Sequence, residues 1–170
     1  MSEYRTETDS MGELQVPVDA LYQAQTQRAV NNFSISGLTM PKQFITALAY
    51  VKQAAAQSNC ELGHLDKQKA QAIERACQEI IDGQHIDHFP IDVFQTGSGT
   101  STNMNANEVI ATLASRYNDD LIHPNDEVNM GQSSNDVIPT TIAVSSVINV
   151  VYELFPALDQ LSQMLERKKS

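Results

Sequence analysis

Apolar residues recur at helical spacing in three stretches of this chain and lose that rhythm between them. After Pro41, the residues Phe44, Leu48, Val51, Ala55 and Leu62 share one helical face, and Gly63 is a natural stop. Asp66 is placed to cap the next helix. That helix has Ala70, Ile73, Cys77 and Ile80 as its buried stripe and Gly83 as its end. The third stretch is the longest. From about Pro139 onward, Val144, Val147, Val151, Leu154, Leu158, Leu161 and Leu165 are separated by alternating steps of 3 and 4, a strict heptad seam. A seam of this kind predicts partner helices, from further chain or from other copies. Pro156 lies inside it and is expected to bend the helix and free a carbonyl.

The intervening segments are polar and rich in turn formers. The first 20 residues read as irregular or briefly extended, ending in Val16-Pro17-Val18-Asp19, with Asp19 capping a short helix over 20–29. Residues 84–100 contain Pro90, Gly97 and Gly99 and read as a loop, with room for a brief strand at 91–94. A helix resumes near Ser101 or Thr102 and runs to about Tyr117, followed by an irregular polar stretch over 118–136. The pattern predicts a mainly α protein. Residues 1–138 form an N-terminal domain carrying the polar loops, and 139–170 begin a helical bundle.

Composition narrows the class. Of 170 residues, 41% are apolar and 19% charged, the balance of a globular protein. No continuous apolar run of roughly 18 residues predicts a membrane span. The polar, acidic N-terminus lacks the features of a secretory or transit peptide, so a cytoplasmic location is expected. A net charge of −10 disfavours nucleic acid and anionic membranes. It also repels anionic substrates, so any binding of one must rest on local hydroxyls and amides. The cysteines, Cys60 and Cys77, fall in predicted helices and read as reduced, buried thiols.

Three segments carry candidate chemistry. In Gln95-Thr-Gly-Ser-Gly-Thr-Ser-Thr-Asn-Met-Asn105, glycines and hydroxyls lead into a helix start, where unpaired N–H groups and the helix dipole favour an anion. It has neither the Walker ending nor a complete dinucleotide fingerprint, and an ordinary hydroxyl-capped turn accounts for it equally. His123-Pro124-Asn125-Asp126 and Gln132-Ser133-Ser134-Asn135-Asp136 offer an imidazole, hydroxyls and amides. Turn and cap formation explains these as readily. His85-Ile86-Asp87-His88 lacks the ligand set of a zinc site. No Ser-His-Asp set, Cys-His pair or paired carboxylates announce proton transfer.

Taken in order, several segments resemble the fumarase/aspartase superfamily. They are Asp9-Ser-Met-Gly-Glu-Leu-Gln-Val-Pro-Val-Asp-Ala-Leu-Tyr22, Gln25-Thr-Gln-Arg-Ala29, Phe89 through Asn105, His123-Pro-Asn-Asp-Glu-Val-Asn129 and Gln132-Ser-Ser-Asn-Asp136. The likeness spans essentially the whole chain. Thr96-Gly-Ser-Gly-Thr100, His123 and Gln132-Ser-Ser-Asn each side with the class II fumarases rather than the aspartases. The resemblance implies the fumarase/aspartase fold, with the long helix the first of its central bundle. It implies part of a homotetrameric hydratase that interconverts fumarate and L-malate in the tricarboxylic acid cycle without a cofactor or metal. An ammonia-lyase of the same superfamily and a non-catalytic helical assembly module are the alternatives.

Residue by residue, the resemblance gives Ser98, Gly99 and Thr100 to a substrate carboxylate. It gives Ser133, Ser134 and Asn135 to the same pocket, as another subunit's contribution. His123, Pro124, Asn125 and Asp126 match a second, non-catalytic dicarboxylate site. The loop carrying the family's general-base serine and the Thr-His segment are absent from these residues, so no catalytic residue is assigned and the chain by itself is expected to be inactive. It is also expected to self-associate through the seam. Met130-Gly131 stands where relatives often carry a lysine, which removes one local charge.

Overall fold

The computed structural model describes residues 3–169. It is mainly α, in agreement with the periodicity. Strands β1 (Tyr4–Asp9) and β2 (Gly12–Pro17) pair antiparallel, with Tyr4 opposite Pro17 and Asp9 opposite Gly12. The reading of this stretch as irregular or briefly extended missed the hairpin. Its strands are short and mostly exposed, so they show little apolar alternation. Arg28 locks the hairpin to the helical body. Its guanidinium donates to both Asp9 carboxylate oxygens, at 2.6 and 2.7 Å, and to the Gly12 carbonyl.

Helix α1 spans Ala24–Asn32, not 20–29, and Asp19 does not cap it. Helices α2 (Lys42–Glu61) and α3 (Lys67–Ile81) are the two that the spacing predicted, and they pack on each other. The Asp66 carboxylate receives the Gln68 and Lys69 amides, as a helix cap should. All four predicted stripe residues of α3 are buried. On α2 the buried face is rotated from the expected one. Phe44, Ile45, Leu48, Ala49, Lys52 and Ala56 face inward, while Leu62 is exposed past the helix end. The helix packs on α3 along one side and on α5 along another, so its buried arc is wider than a single stripe.

Helix α4 (Thr100–Ala114) is the central element, packed on α1, α2, α3 and α5. Between Ser101 and Ala114 even Asn103, Asn105, Asn107 and Glu108 are buried. The expected strand at 91–94 reduces to a single bridge between Thr39 and Asp92. A π-type turn occupies Pro124–Val128.

A continuous 36-residue helix, Ser134–Lys169, closes the chain. It comprises α5 (Ser134–Asn149), a π turn (Val150–Leu154) and α6 (Phe155–Lys169). It starts five residues before the expected Pro139, which sits within α5, and the expected 138/139 division falls inside it. Its first part packs on α2, with Val137, Ile138 and Thr141 buried and Val144 and Ile148 half-buried. The break expected at Pro156 takes the form of the wide turn just before it, where the Phe155 N–H reaches back five residues to the Val150 carbonyl.

The seam residues from Val147 to Leu165 are exposed. An 18-residue window of this helix reaches a mean hydropathy of 1.5, enough by length and composition to cross a bilayer. The expectation of no such segment is thereby corrected. It counted unbroken apolar runs, and here Ser145, Ser146, Asn149 and Glu153 interrupt the apolar residues without lowering the average enough.

Candidate functional site

The Gly-Ser-Gly loop is a tight turn built onto the start of α4. The Gly99 N–H bonds the Thr96 carbonyl at 2.9 Å, and Gly99 takes a φ of +68°. A Cβ at Gly99 would lie 3.1 Å from two carbons of Ile138 on α5, so a larger residue is strained in conformation and crowds Ile138. This contact seats the loop directly on the first turns of the long helix.

Two of the amides at this helix start already have side-chain partners, which narrows the expectation of unpaired N–H groups to Thr100. The Ser101 N–H goes to Thr96 Oγ1 at 3.2 Å and the Thr102 N–H to Gln95 Oε1 at 2.8 Å. Gln95 is anchored in turn by donating to the Asp92 carbonyl at 2.9 Å. What the loop presents outward is a pair of hydroxyls, Ser98 Oγ and Thr100 Oγ1, 2.8 Å apart. The first is exposed and the second half-buried. One hydroxyl donates its proton to the other, which keeps its own for an arriving carboxylate; both donate to the carboxylate once the bond between them opens.

Ser133, Ser134 and Asn135 form the start of α5 in the same chain. Ser133 caps the helix, its hydroxyl accepting the Asn135 N–H at 3.3 Å. Ser134 Oγ accepts from Asn103 Nδ2 at 3.0 Å, and Asn103 lies one turn into α4. The two hydroxyl segments therefore meet within one chain, through Gly99 on Ile138 and Asn103 on Ser134.

His123 precedes the π turn. Its Nδ1 accepts the backbone N–H groups of Asn125 and Asp126, both at 3.3 Å. The Asp126 carboxylate also lies 3.3 Å from Nδ1. A nitrogen that receives two N–H donors carries no proton, so we read a neutral ring capping the turn rather than an ion pair with Asp126. The Glu127 carboxylate accepts the His123 amide at 2.6 Å and pairs with Lys69 at 2.7 Å, which ties this turn to α3. His85 and His88 serve the structure. His85 Nε2 contacts Glu79 at 2.9 Å and His88 Nδ1 accepts the Leu21 amide at 3.3 Å. Desolvation lowers the His88 pKa. Of the thiols, Cys77 is buried, which pushes it up to about 12, whereas Cys60 is only half-buried.

Sequence reasoning missed the buried support of this region. Lys52 is fully buried on α2 and has no carboxylate partner, and desolvation brings its ammonium down to about 7. Its Nζ donates to Asn129 Oδ1 at 2.9 Å and Gln132 Oε1 at 3.0 Å. A lysine four residues after Leu48 on an apolar stripe was the available signal. Surface clefts lined by Gln68, Arg75 and Tyr117, or by Arg5, Asp19 and Arg116, lie apart from these loops.

Comparison with known proteins places this arrangement. Class II fumarate hydratase from Xylella fastidiosa is 56% identical over 165 residues, 97% of this chain and 35% of that protein. The Bacillus subtilis class II fumarate hydratase is 47% identical over 98% of this chain and 37% of its own length. Among solved structures, a class II fumarase from Schistosoma mansoni superposes with a TM-score of 0.91 at 41% identity, covering 98% of this chain and 36% of that one. A fumarate lyase:delta crystallin from Brucella melitensis gives 0.82 at 47% identity, over 86% and 36%. The chain thus spans about a third of the length of these relatives. A family model described as lyase matches residues 12–170, and with that match and these identities the chain belongs to the lyase family.

Proposed function

We propose that this chain is the carboxylate-holding part of a fumarate hydratase, which adds water reversibly to fumarate to give L-malate. The observation that carries the reading is the meeting of two hydroxyl-bearing segments. Gly99 packs on Ile138, Asn103 bonds Ser134, and the Ser98 and Thr100 hydroxyls lie 2.8 Å apart on the loop between them. Neutral donors suit a dicarboxylate approaching a chain of net charge −10, because they bind without recruiting bulk charge.

In this reading Ser98 and Thr100 donate to one substrate carboxylate, with Ser133, Ser134 and Asn135 lining the same pocket. Hydration of the double bond builds negative charge on a carboxylate as an aci-carboxylate, and donors fixed beforehand stabilise that charge. The segment His123-Pro124-Asn125-Asp126 serves a separate dicarboxylate site outside the chemistry. The exposed seam of α5 and α6 faces helices of other subunits in a homo-oligomer, and the location is cytoplasmic. The names of the relatives support the substrate.

The test is the complete enzyme carrying this segment. Malate formation from fumarate, with no ammonia release from aspartate, is the expected result. Ammonia release would assign the segment to an ammonia-lyase instead.

A further inference from the structure

The polar network behind Ser134 has a direction, and Lys52 sets it. As an ammonium Lys52 only donates, and in that form the side-chain atoms facing Nζ are oxygens, Oδ1 of Asn129 and Oε1 of Gln132. With Asn129 so turned, its Nδ2 donates to the Gln132 carbonyl at 3.2 Å. With Gln132 so turned, its Nε2 donates to the Val128 carbonyl at 2.9 Å and the Met130 carbonyl at 3.3 Å. Asn129 Oδ1 can only accept, so Asn103 must present Nδ2 to it, at 3.2 Å. The same Nδ2 donates to Ser134 Oγ at 3.0 Å. The serine oxygen is thereby an acceptor on its inner side, and its proton is left for the outer side.

We infer that Lys52 is a positioning residue for the carboxylate site: through Asn129 and Asn103 it orients the Ser134 hydroxyl as a donor toward a bound carboxylate. The inference rests on the proposed fumarate-binding role of Ser134. Two further observations support it. Asn103 is fully buried and its Oδ1 has no partner, so the bonds made by Nδ2, not the comfort of the oxygen, decide how the amide lies. Lys52 is buried without a carboxylate beside it, an arrangement that burial opposes and that a merely structural position would fill with an apolar residue. The network also spans four elements: α2 supplies Lys52, the segment after the π turn supplies Asn129 and Gln132, α4 supplies Asn103 and α5 supplies Ser134.

The experiment is a double-mutant cycle in the complete enzyme, with fumarate as the probe. Lys52→Met keeps the length of the side chain and removes its donors. It is expected to raise KM for fumarate about tenfold while kcat changes less, as loss of one hydrogen bond to a charged group would. Ser134→Ala should raise KM by a similar factor, and the double variant should show little more than either alone. If Ser134→Ala leaves KM unchanged, the carboxylate-site reading falls and this inference with it. If Ser134→Ala raises KM while Lys52→Met leaves it unchanged, or the two effects add in full, the inference alone is overturned. Should Lys52→Met fail to fold, Asn103→Ala removes the relay and leaves the Lys52 contacts in place. An unchanged KM in that variant overturns the inference equally.

Discussion

The carboxylate of Glu108 on α4 accepts the backbone N–H of Thr26 on α1 at 3.1 Å, across 82 positions of sequence. It also takes the amides of Gln23 at 2.9 Å and Gln25 at 3.0 Å. A helix start that no local side chain caps is thus capped by another helix. Desolvation raises the Glu108 pKa, and the hydrogen bonds from Thr26, Gln23 and Gln25 oppose that rise.

Glu108→Gln should destabilise the fold by about 1.5–3 kcal/mol, the range for lost hydrogen bonds to a charged group. A glutamine has one acceptor oxygen, so it must turn an NH2 toward at least one of the amides that Glu108 now receives. Urea denaturation of the variant and the parent measures the difference, and equal midpoints would contradict the cap.

Asp92 predicts an acid sensitivity. Desolvation alone would raise its carboxyl, but the amides of Phe94, Ser36 and Gly37 and the Ser36 hydroxyl outweigh it and hold the group at about 2. A depressed folded value gives stability that is complete above the unfolded value, about 4. That stability is lost as pH falls from about 4 to 2. Asp92→Asn should therefore flatten the loss of stability across this window, as measured by thermal melts at stepped pH.

Thr100→Ala in the complete enzyme should lower fumarate turnover by about 10- to 150-fold, the worth of one hydrogen bond to a charged group. His123→Asn should leave turnover largely intact, because the ring caps a turn and, in the proposed reading, belongs to a second site outside the chemistry. Steady-state kinetics on both variants decides. An unchanged Thr100→Ala removes the loop from the site, and a collapse in a well-folded His123→Asn refutes the assignment of that turn.

The exposed seam should drive association. Burial of each large apolar side chain is worth about 1.5–3 kcal/mol. Leu154, Leu158, Leu161 and Leu165 all stand in solvent in the single chain. Sedimentation should give a species larger than 18.8 kDa, and the pair Leu154→Glu with Leu158→Glu should return it to the monomer. A monomeric parent with this helix intact would contradict the expectation.

The helices and the hydroxyl motifs were legible from the sequence because their causes are local. Asp66 caps α3 with its own next residues, and Ala70, Ile73, Cys77 and Ile80 follow the helical repeat whatever lies beyond them. Gly99 signalled a turn because only a residue without a Cβ takes its conformation freely. Tertiary structure decided what depends on distant partners. The start of α1 moved because Glu108, not Asp19, supplies its cap. At the head of α4 the Ser101 and Thr102 amides were taken by Thr96 and Gln95, partners that only the folded loop brings to them. Lys52 stands on an apolar stripe in sequence, but only the packing of α2 against α3 and α5 buries it and brings Asn129 and Gln132 to its ammonium. Periodicity reports which face of an element is apolar, whereas a hydrogen bond between elements is fixed by where the chain has been folded to place its two ends.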